Sequence, residues 1–167
     1  MGTTDRKSKK TMKVLLKNSG MLLLTSCLAV ACMKQTVYHS YQSIPNKGWN
    51  KNDTLIFQIP ITDSLPATLQ LAAEVRNSTT YPYQNLFVIV SHNLQDSLTF
   101  QTDTLELVLA DQEGNWKGSG WGSLLQSTLP LGKVKVQGAG NYILKMSHGM
   151  KDETLVGIRD AGLSLTH

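Results

Sequence analysis

Cysteine is scarce in this sequence: there are two, Cys27 and Cys32, and none follows position 32. Residues beyond Cys32 can therefore form no internal disulfide, and neither a thiol nucleophile nor a thiolate zinc site is available to them. Removal of residues 1–31 would leave 136 of the 167 residues. That length suffices for one domain with its own hydrophobic core, and we expect the core to supply its stability.

The N-terminal region lacks an apolar run of the ~20 residues that a membrane-spanning helix needs. Residues 18–31 are uncharged, and six basic residues with a single acid precede them. A basic segment, a short apolar core and a small-residue end are typical of a secretory signal. We expect residues 1–31 to be a signal peptide that is removed on export, and Met12 is an alternative start to Met1.

The last residues of this signal carry an acylation motif. Leu28-Ala29-Val30-Ala31-Cys32 resembles the lipobox of bacterial lipoproteins, in which the cysteine is acylated and becomes the first residue. Cys27 is the alternative, but cleavage before it would leave the apolar residues 28–31 on the mature end. We expect lipidation at Cys32, and two or more acyl chains would hold the protein firmly in a membrane.

A net positive charge is absent from the part that follows the signal. The chain has 16 Lys and Arg against 12 Asp and Glu, but residues 1–31 hold six of the basic residues and one acid. The remainder has 10 basic and 11 acidic residues, a net charge of −1. A basic surface is the electrostatic signature of nucleic-acid binding. The argument for nucleic-acid binding from a basic composition therefore fails, and we expect no nucleic-acid partner.

Helical periodicity is almost missing, and residues 123–127 are the one segment that shows it. Apolar residues instead alternate with polar ones over 55–61 and 69–76, which is typical of half-buried strands. Pro60 marks the first of these as an edge strand. Residues 86–90 are apolar on both faces, which predicts a central strand.

Seven or eight short strands separated by turn signals predict an all-β fold, a single antiparallel β-sandwich of jelly-roll type. We assign the sandwich to residues 53–167. Residues 32–52 are mostly polar and are predicted to be the lipidated cysteine and a tether. Tyr41 and Trp49 could pin the far end of that tether to the domain.

The most unusual segment after the signal is 111–122, which contains four glycines and two tryptophans. Tryptophan is enriched in binding hot spots, and glycine allows close backbone approach. One interpretation is a loop that binds a partner or ligand; the other is a hairpin whose tryptophans close the end of the sandwich. The candidate binding residues are Trp116, Gly118, Gly120 and Trp121, together with Tyr81 and Tyr83 of the predicted loop 77–83.

Patterns for catalysis or metal binding are weak. Asp103, Glu106 and Asp111 could form a carboxylate pair for glycoside hydrolysis, but isolated solvated acids are the commoner state. The four histidines share no spacing, so we interpret them as surface residues rather than metal ligands. We expect a protein that is not an enzyme and has no cofactor and no metal.

Four Asp-Ser/Thr-apolar triplets occur after the signal. They are ordinary turn chemistry at strand starts, but they also resemble the O-glycosylation acceptor of proteins in the Bacteroidota periplasm. The predicted modified residues are Thr54, Ser64, Ser97 and Thr104.

An ordered series of short segments is similar to the GldH family, the gliding-motility lipoproteins of Bacteroidota, and it spans essentially all of 32–167. The segments that carry this resemblance are Trp49, 53–57, 75–77, 81–86, 103–106, 109–111, 114–120, 140–142, Met150 and 155–163. The resemblance implies a membrane-anchored accessory of the gliding apparatus and its type IX secretion system, with other envelope lipoproteins as neighbours. It implies no catalytic residue, and it does not require that the organism glides.

Three classes of function follow. The first is a tethered, non-catalytic protein-interaction module; the second is a carbohydrate- or peptidoglycan-binding lipoprotein in which Trp116 and Trp121 stack on sugars; the third is a hydrolase. Residues 33–35 lack the acidic run that resembles a surface-export signal. We therefore expect a domain that faces the periplasm, at the outer membrane in preference to the inner membrane.

Overall fold

A computed structural model describes residues 35–62 and 66–167, which contain eleven β-strands and no helix. Apolar and β-branched residues with a period of two favour this all-strand structure. The strands in chain order are β1 (Thr36–Ser43), β2 (Trp49–Asn50), β3 (Leu55–Ile61), β4 (Ala67–Ser78), β5 (Asn85–His92), β6 (Gln101–Val108), β7 (Ser119–Trp121), β8 (Leu124–Val136), β9 (Gly140–His148), β10 (Thr154–Leu155) and β11 (Ile158–Thr166).

The strands form two main antiparallel sheets and one short pair. The five-stranded sheet has the order β1-β11-β4-β8-β7, the four-stranded sheet has the order β3-β9-β5-β6, and β2 pairs with β10. This confirms the predicted all-β antiparallel sandwich. No helix long and apolar enough to cross a membrane is found in the residues that the structure describes.

The core lies between the inner faces of the two sheets. On β4, Leu69, Leu71, Ala73 and Val75 are all at most 3% exposed, while the intervening Thr68 and Gln70 face outward. The four-stranded sheet contributes the same alternation, for example at Leu144. Each fully buried large aliphatic side chain contributes about 1.5–3 kcal/mol to folding, so this core replaces the disulfides that the sequence lacks.

The connections separate into two ends because neighbouring strands are antiparallel. One end, which we call the N-terminal end, carries Gln35, and the other, which we call the loop end, carries the β2–β10 pair. The connections at the N-terminal end include 93–100 and 137–139; those at the loop end are 44–54, 79–84, 109–118 and 149–157. All three tryptophans lie at the loop end.

The segment predicted to be a tether is largely part of the sandwich. β1 pairs with β11 along its length, and Trp49 is only 1% exposed and donates a hydrogen bond of 2.9 Å from Nε1 to the Asp53 carbonyl. In the described residues the domain therefore begins at Thr36 rather than Asp53. An apolar alternation does not mark this strand because Ser40 and Gln42, which pair with the buried Leu163 and Ala161 of β11, are polar. The predicted signal peptide, 1–31, lies outside the described residues.

Two further expectations were wrong. Residues 124–127 begin strand β8, since pairing with β4 outweighs the short helical period there. His92 and His148 are not surface residues: they are 7% and 1% exposed and point into the core from β5 and β9. The predicted edge position of β3 and the central position of β5 are confirmed.

Candidate functional site

An aromatic cluster of Tyr81, Tyr83 and Trp116 packs at the loop end. The ring centroid of Tyr81 lies 5.8 Å from that of Tyr83 and 6.5 Å from that of Trp116. Tyr81 is 4% exposed and donates a hydrogen bond of 2.9 Å to the Asn85 carbonyl. Burial raises the pKa of Tyr81, so its hydroxyl stays protonated and can donate that bond. Tyr81 and Trp116 therefore close the end of the sandwich.

Gly118 and Gly120 permit the close approach of β7 to β8. A Cβ on Gly118 would lie 2.7 Å from Ser127 Oγ and 2.8 Å from the Gln126 carbonyl oxygen. A Cβ on Gly120 would overlap the carbonyl oxygen of Leu124. Both glycines therefore have a structural role, because a side chain at either position would force β7 and β8 apart.

Trp121 differs from Trp116 because nothing packs against it. It ends β7, pairs with Leu124 across the turn at Gly122, and is 95% exposed. Leu124 is itself 39% exposed. Large exposed aromatic side chains of this kind are common anchors of protein interfaces.

An apolar groove of about 480 Å³ lies beside this end, on the outer face of the four-stranded sheet. Phe87 and Met150 form its floor, and the backbone N–H of Phe87 contacts Met150 Sδ at 3.3 Å. Tyr83 forms one wall and donates a hydrogen bond of 2.8 Å to Asp152 Oδ2. That bond raises the pKa of Tyr83. Met150 and Phe87 are 63 residues apart in the chain, so this groove could not be predicted from local sequence.

A polar cleft of about 500 Å³ lies next to the hairpin 109–117, and Glu106 and Val108 of β6 line it from the same outer face that carries Thr104. Glu106, Asp111 and Glu113 line it, with Lys117 as the single cationic side chain among its lining residues. Asp111 accepts hydrogen bonds of 2.7 and 3.0 Å from the backbone and side chain of Asn115, and these lower its pKa.

The three acids proposed for hydrolysis are not all brought together: Glu106 and Asp111 line the polar cleft, whereas Asp103 does not. Asp103 and Glu106 lie on opposite faces of β6 because side chains alternate along a strand. Glu106 instead accepts a hydrogen bond of 2.6 Å from Asn85 Nδ2. Asp111 has a turn-stabilising role, and a lowered pKa is the opposite of what a general acid requires. No cluster of three potential metal ligands was found within the described parts of the chain.

A buried polar cluster, which the sequence did not predict, lies on the outer face of the five-stranded sheet. Glu74 is 7% exposed and accepts hydrogen bonds from the Tyr41 hydroxyl and from His39 Nε2. Burial alone would raise the pKa of Glu74, but these bonds and one from Ser164 outweigh it and lower the pKa. Arg76 stacks 4.1 Å above the Tyr41 ring.

The predicted modification sites have mixed positions. Thr54, Ser97 and Thr104 are exposed, so their hydroxyls are accessible. Ser64, Cys27 and Cys32 lie outside the described residues. Glycosylation and the choice of acylated cysteine therefore stay predictions.

The family model described as "GldH lipoprotein" matches residues 36–165. The chain belongs to the GldH family. The gliding motility lipoprotein GldH of Flavobacterium johnsoniae is 31% identical over 157 residues, covering 90% of this chain and 96% of that protein. A GldH homolog of Christiangramia forsetii is 29% identical, covering 87% and 92%. The chain is therefore a lipoprotein of this gliding-motility family, held by lipid in the cell envelope.

Among solved structures, a family 35 carbohydrate-binding module of Clostridium thermocellum is similar with a TM-score of 0.41 and 12% identity, covering 81% of this chain and 91% of that one. Latent PorU of Porphyromonas gingivalis gives a TM-score of 0.36 and 9% identity, covering 83% of this chain and 14% of that one. Neither similarity assigns a ligand or partner to this member of the GldH family.

Proposed function

We propose that this GldH-family lipoprotein is a non-catalytic protein-interaction module of the gliding-motility and type IX secretion apparatus. Its N-terminal lipid holds it at the outer membrane with the sandwich in the periplasm. Other envelope lipoproteins of the same apparatus are its partners. The observation that carries the proposal is Trp121, which is 95% exposed at the loop end.

The direction of the chain supports this role. Residues 33 and 34 alone separate Cys32 from Gln35, and a chain this short spans only about 10 Å. β4 runs from Gln70, in the row of Thr36, to Ser78, in the row of Trp121, which is a rise of about 26 Å. Acylation of Cys32 would hold the N-terminal end near the bilayer. Trp121 would then be available to a partner rather than to the lipid.

The apolar groove adds a second contact surface at the same end. Phe87 is 36% exposed there, and Tyr83 is held in place by Asp152. Interfaces commonly join one aromatic anchor to a neighbouring apolar pocket. We infer that Trp121 and the apolar groove serve the same kind of macromolecular contact.

Trp121→Ala tests the proposal, with Leu98→Ala as the matched control. Leu98 is 89% exposed but lies at the N-terminal end. Chemical crosslinking of native envelopes should join the wild-type protein and Leu98→Ala to a specific protein neighbour. The Trp121→Ala variant should lose at least roughly tenfold of that adduct, the usual effect of removing a hot spot. Equal yields from all three proteins would contradict the proposal.

The carbohydrate-binding alternative receives less support. Trp116 packs against Tyr81, whereas Trp121 stands alone on the hairpin, so the two do not form one stacking platform. We expect no quenching of tryptophan fluorescence by peptidoglycan fragments. Quenching that disappears in Trp121→Ala would favour the alternative instead.

A further inference from the structure

Strand β6 is an open edge of the four-stranded sheet. It has eight residues and pairs with β5 from Gln101 to Val108 without a register shift. In the described residues it has a neighbour on one side only. A strand of this kind presents a row of unpaired backbone groups.

The outward backbone groups can be assigned from the hydrogen bonds of β5. Gly149 N–H donates to the Phe87 carbonyl at 2.7 Å, and Asn93 N–H donates to the Ile143 carbonyl at 3.2 Å. Odd-numbered residues of β5 therefore bond to β9, and its even-numbered residues bond to β6. Antiparallel pairing then uses the odd-numbered residues of β6. The N–H and C=O groups of the even-numbered residues point out of the sheet, and these residues are Thr102, Thr104, Glu106 and Val108.

The opposite edge of the same sheet is blocked. Pro60 removes an outward N–H of β3, since it occupies an even-numbered position of that strand. The outward carbonyl of Ile56 accepts a hydrogen bond of 2.6 Å from Gln42 Nε2 of β1. These contacts leave few backbone groups on β3 for another chain.

The edges of the five-stranded sheet are blocked as well. Beyond the short β7, strand β8 carries Pro130, a bulge next to Gly132, and the exposed Lys133 and Lys135. These are common devices against edge pairing. β1 carries an irregularity near Thr36 and lies beside β3. In the described chain, β6 has neither a proline nor a bulge nor a lysine.

Charge indicates which segment fits this edge. β6 carries Asp103 and Glu106, and the adjoining polar cleft adds Asp111 and Glu113 against the single cation Lys117. A second copy of β6 would bring like charges together, whereas Lys or Arg side chains of another protein would be attracted.

We propose that β6 accepts an extended, basic segment of a partner protein as an added strand of the four-stranded sheet. Main-chain hydrogen bonds to the four outward residues provide the affinity, and the acids select the sequence. The inference rests on the proposed interaction function and names the partner's conformation and charge.

Thr104→Pro is the direct test, because Thr104 N–H points outward and its loss breaks no bond to β5. Thr104→Val is the matched control, since it keeps the N–H and the branched shape. Both are made in the full-length lipoprotein in cells, with a photoreactive phenylalanine at position 102. Thermal unfolding of each purified variant should match wild type within a few degrees, which shows that the fold is intact.

We expect light to join position 102 to a partner segment with net positive charge. The yield should fall about tenfold in Thr104→Pro and be unchanged in Thr104→Val. Glu106→Lys should also lower it by about tenfold. Equal yields with Thr104→Pro, an acidic partner segment, or an adduct of two copies of this chain would overturn the proposal.

The same probe at position 121 separates this inference from the proposed function. An adduct at 121 with none at 102 would refute β6 docking and leave the interaction module standing. Adducts at neither position would refute both.

Discussion

The ring of Tyr41 lies across Gly162, so closely that a Cβ on Gly162 would come within 2.5 Å of Tyr41 Cδ1. Because Gly162 has no side chain, Tyr41 on β1 reaches over β11 to Glu74 on β4 and donates a hydrogen bond to its carboxylate. Burial and this bond raise the pKa of Tyr41 to about 12. One missing side chain thus allows β1 to join the sheet as its polar edge.

Gly162→Ala should destabilise the protein by about 1–3 kcal/mol, because the methyl group displaces the Tyr41 ring. Urea unfolding measures the effect. Gly149→Ala is the control, since its Cβ would have no neighbour closer than 3.5 Å and it should change stability by less than about 1 kcal/mol. Similar losses in both variants would show that Tyr41 is not held by Gly162.

Because His148 is buried, we expect the folded protein to lose stability in weak acid. His148 is 1% exposed, neither ring nitrogen has a hydrogen-bond partner among the residues that the structure describes, and its ring lies 5.6 Å from that of Trp49. Burial lowers the pKa of His148, and burial lowers that of His92 too. The unfolded chain therefore takes up protons first as the pH falls below about 6.5, and folding weakens. The lowered pKa of Glu74 affects stability only at lower pH, because carboxyl groups titrate below the range of histidine.

Urea unfolding at pH 7 and pH 5 tests this sign. His148→Phe keeps an aromatic ring against Trp49 and should reduce the dependence of unfolding free energy on pH by up to about 1.4 kcal/mol per pH unit. His167→Gln, at an exposed position, should leave it unchanged. A pH dependence that is the same in His148→Phe and wild type would contradict the assignment.

The two loop-end tryptophans should differ in their effect on stability. Trp116→Ala removes half-buried packing against Tyr81 and should cost about 2–4 kcal/mol. Trp121→Ala removes a side chain that is 95% exposed and should change stability by less than about 0.5 kcal/mol. Thermal unfolding of both variants measures this difference in stability. A large loss in Trp121→Ala would make that residue structural.

Cys32→Ser should stop acylation and leave the protein free of the membrane after cell fractionation. Cys27→Ser should leave anchoring intact, because the predicted cut lies before Cys32. Intact-mass measurement of the native protein reports both the lipid and any glycan attached at the four predicted residues. Loss of anchoring in Cys27→Ser alone would move the first mature residue to Cys27.

Much of the fold could be predicted because apolar and polar residues alternate along most strands with a period of two. The alternation that includes Leu69 and Leu71 correctly predicted strand β4. Pro60 correctly predicted that β3 is an edge strand. β1 was missed because Ser40 and Gln42, on the face toward the core, are polar, so no apolar alternation marks the strand. The start of β8 was missed because strand pairing, which the local sequence does not contain, decides it.

The candidate site was predicted less completely. The aromatic candidates do lie at the loop end: Trp116, Trp121, Tyr81 and Tyr83. Only the folded structure shows that Trp116 packs against Tyr81 and that Trp121 is exposed. The apolar groove depends on Met150, which meets Phe87 only after folding. Gly118 and Gly120 proved to permit strand approach.

The central claim is that the loop end, which carries Trp121, meets a protein partner. Its most direct test is a photoreactive phenylalanine placed singly at Trp121 or at Gln137, an exposed residue in the turn at the N-terminal end. In living cells, the account predicts a specific protein adduct from position 121 and none from position 137. Adducts from 137 alone, or from neither position, would contradict it.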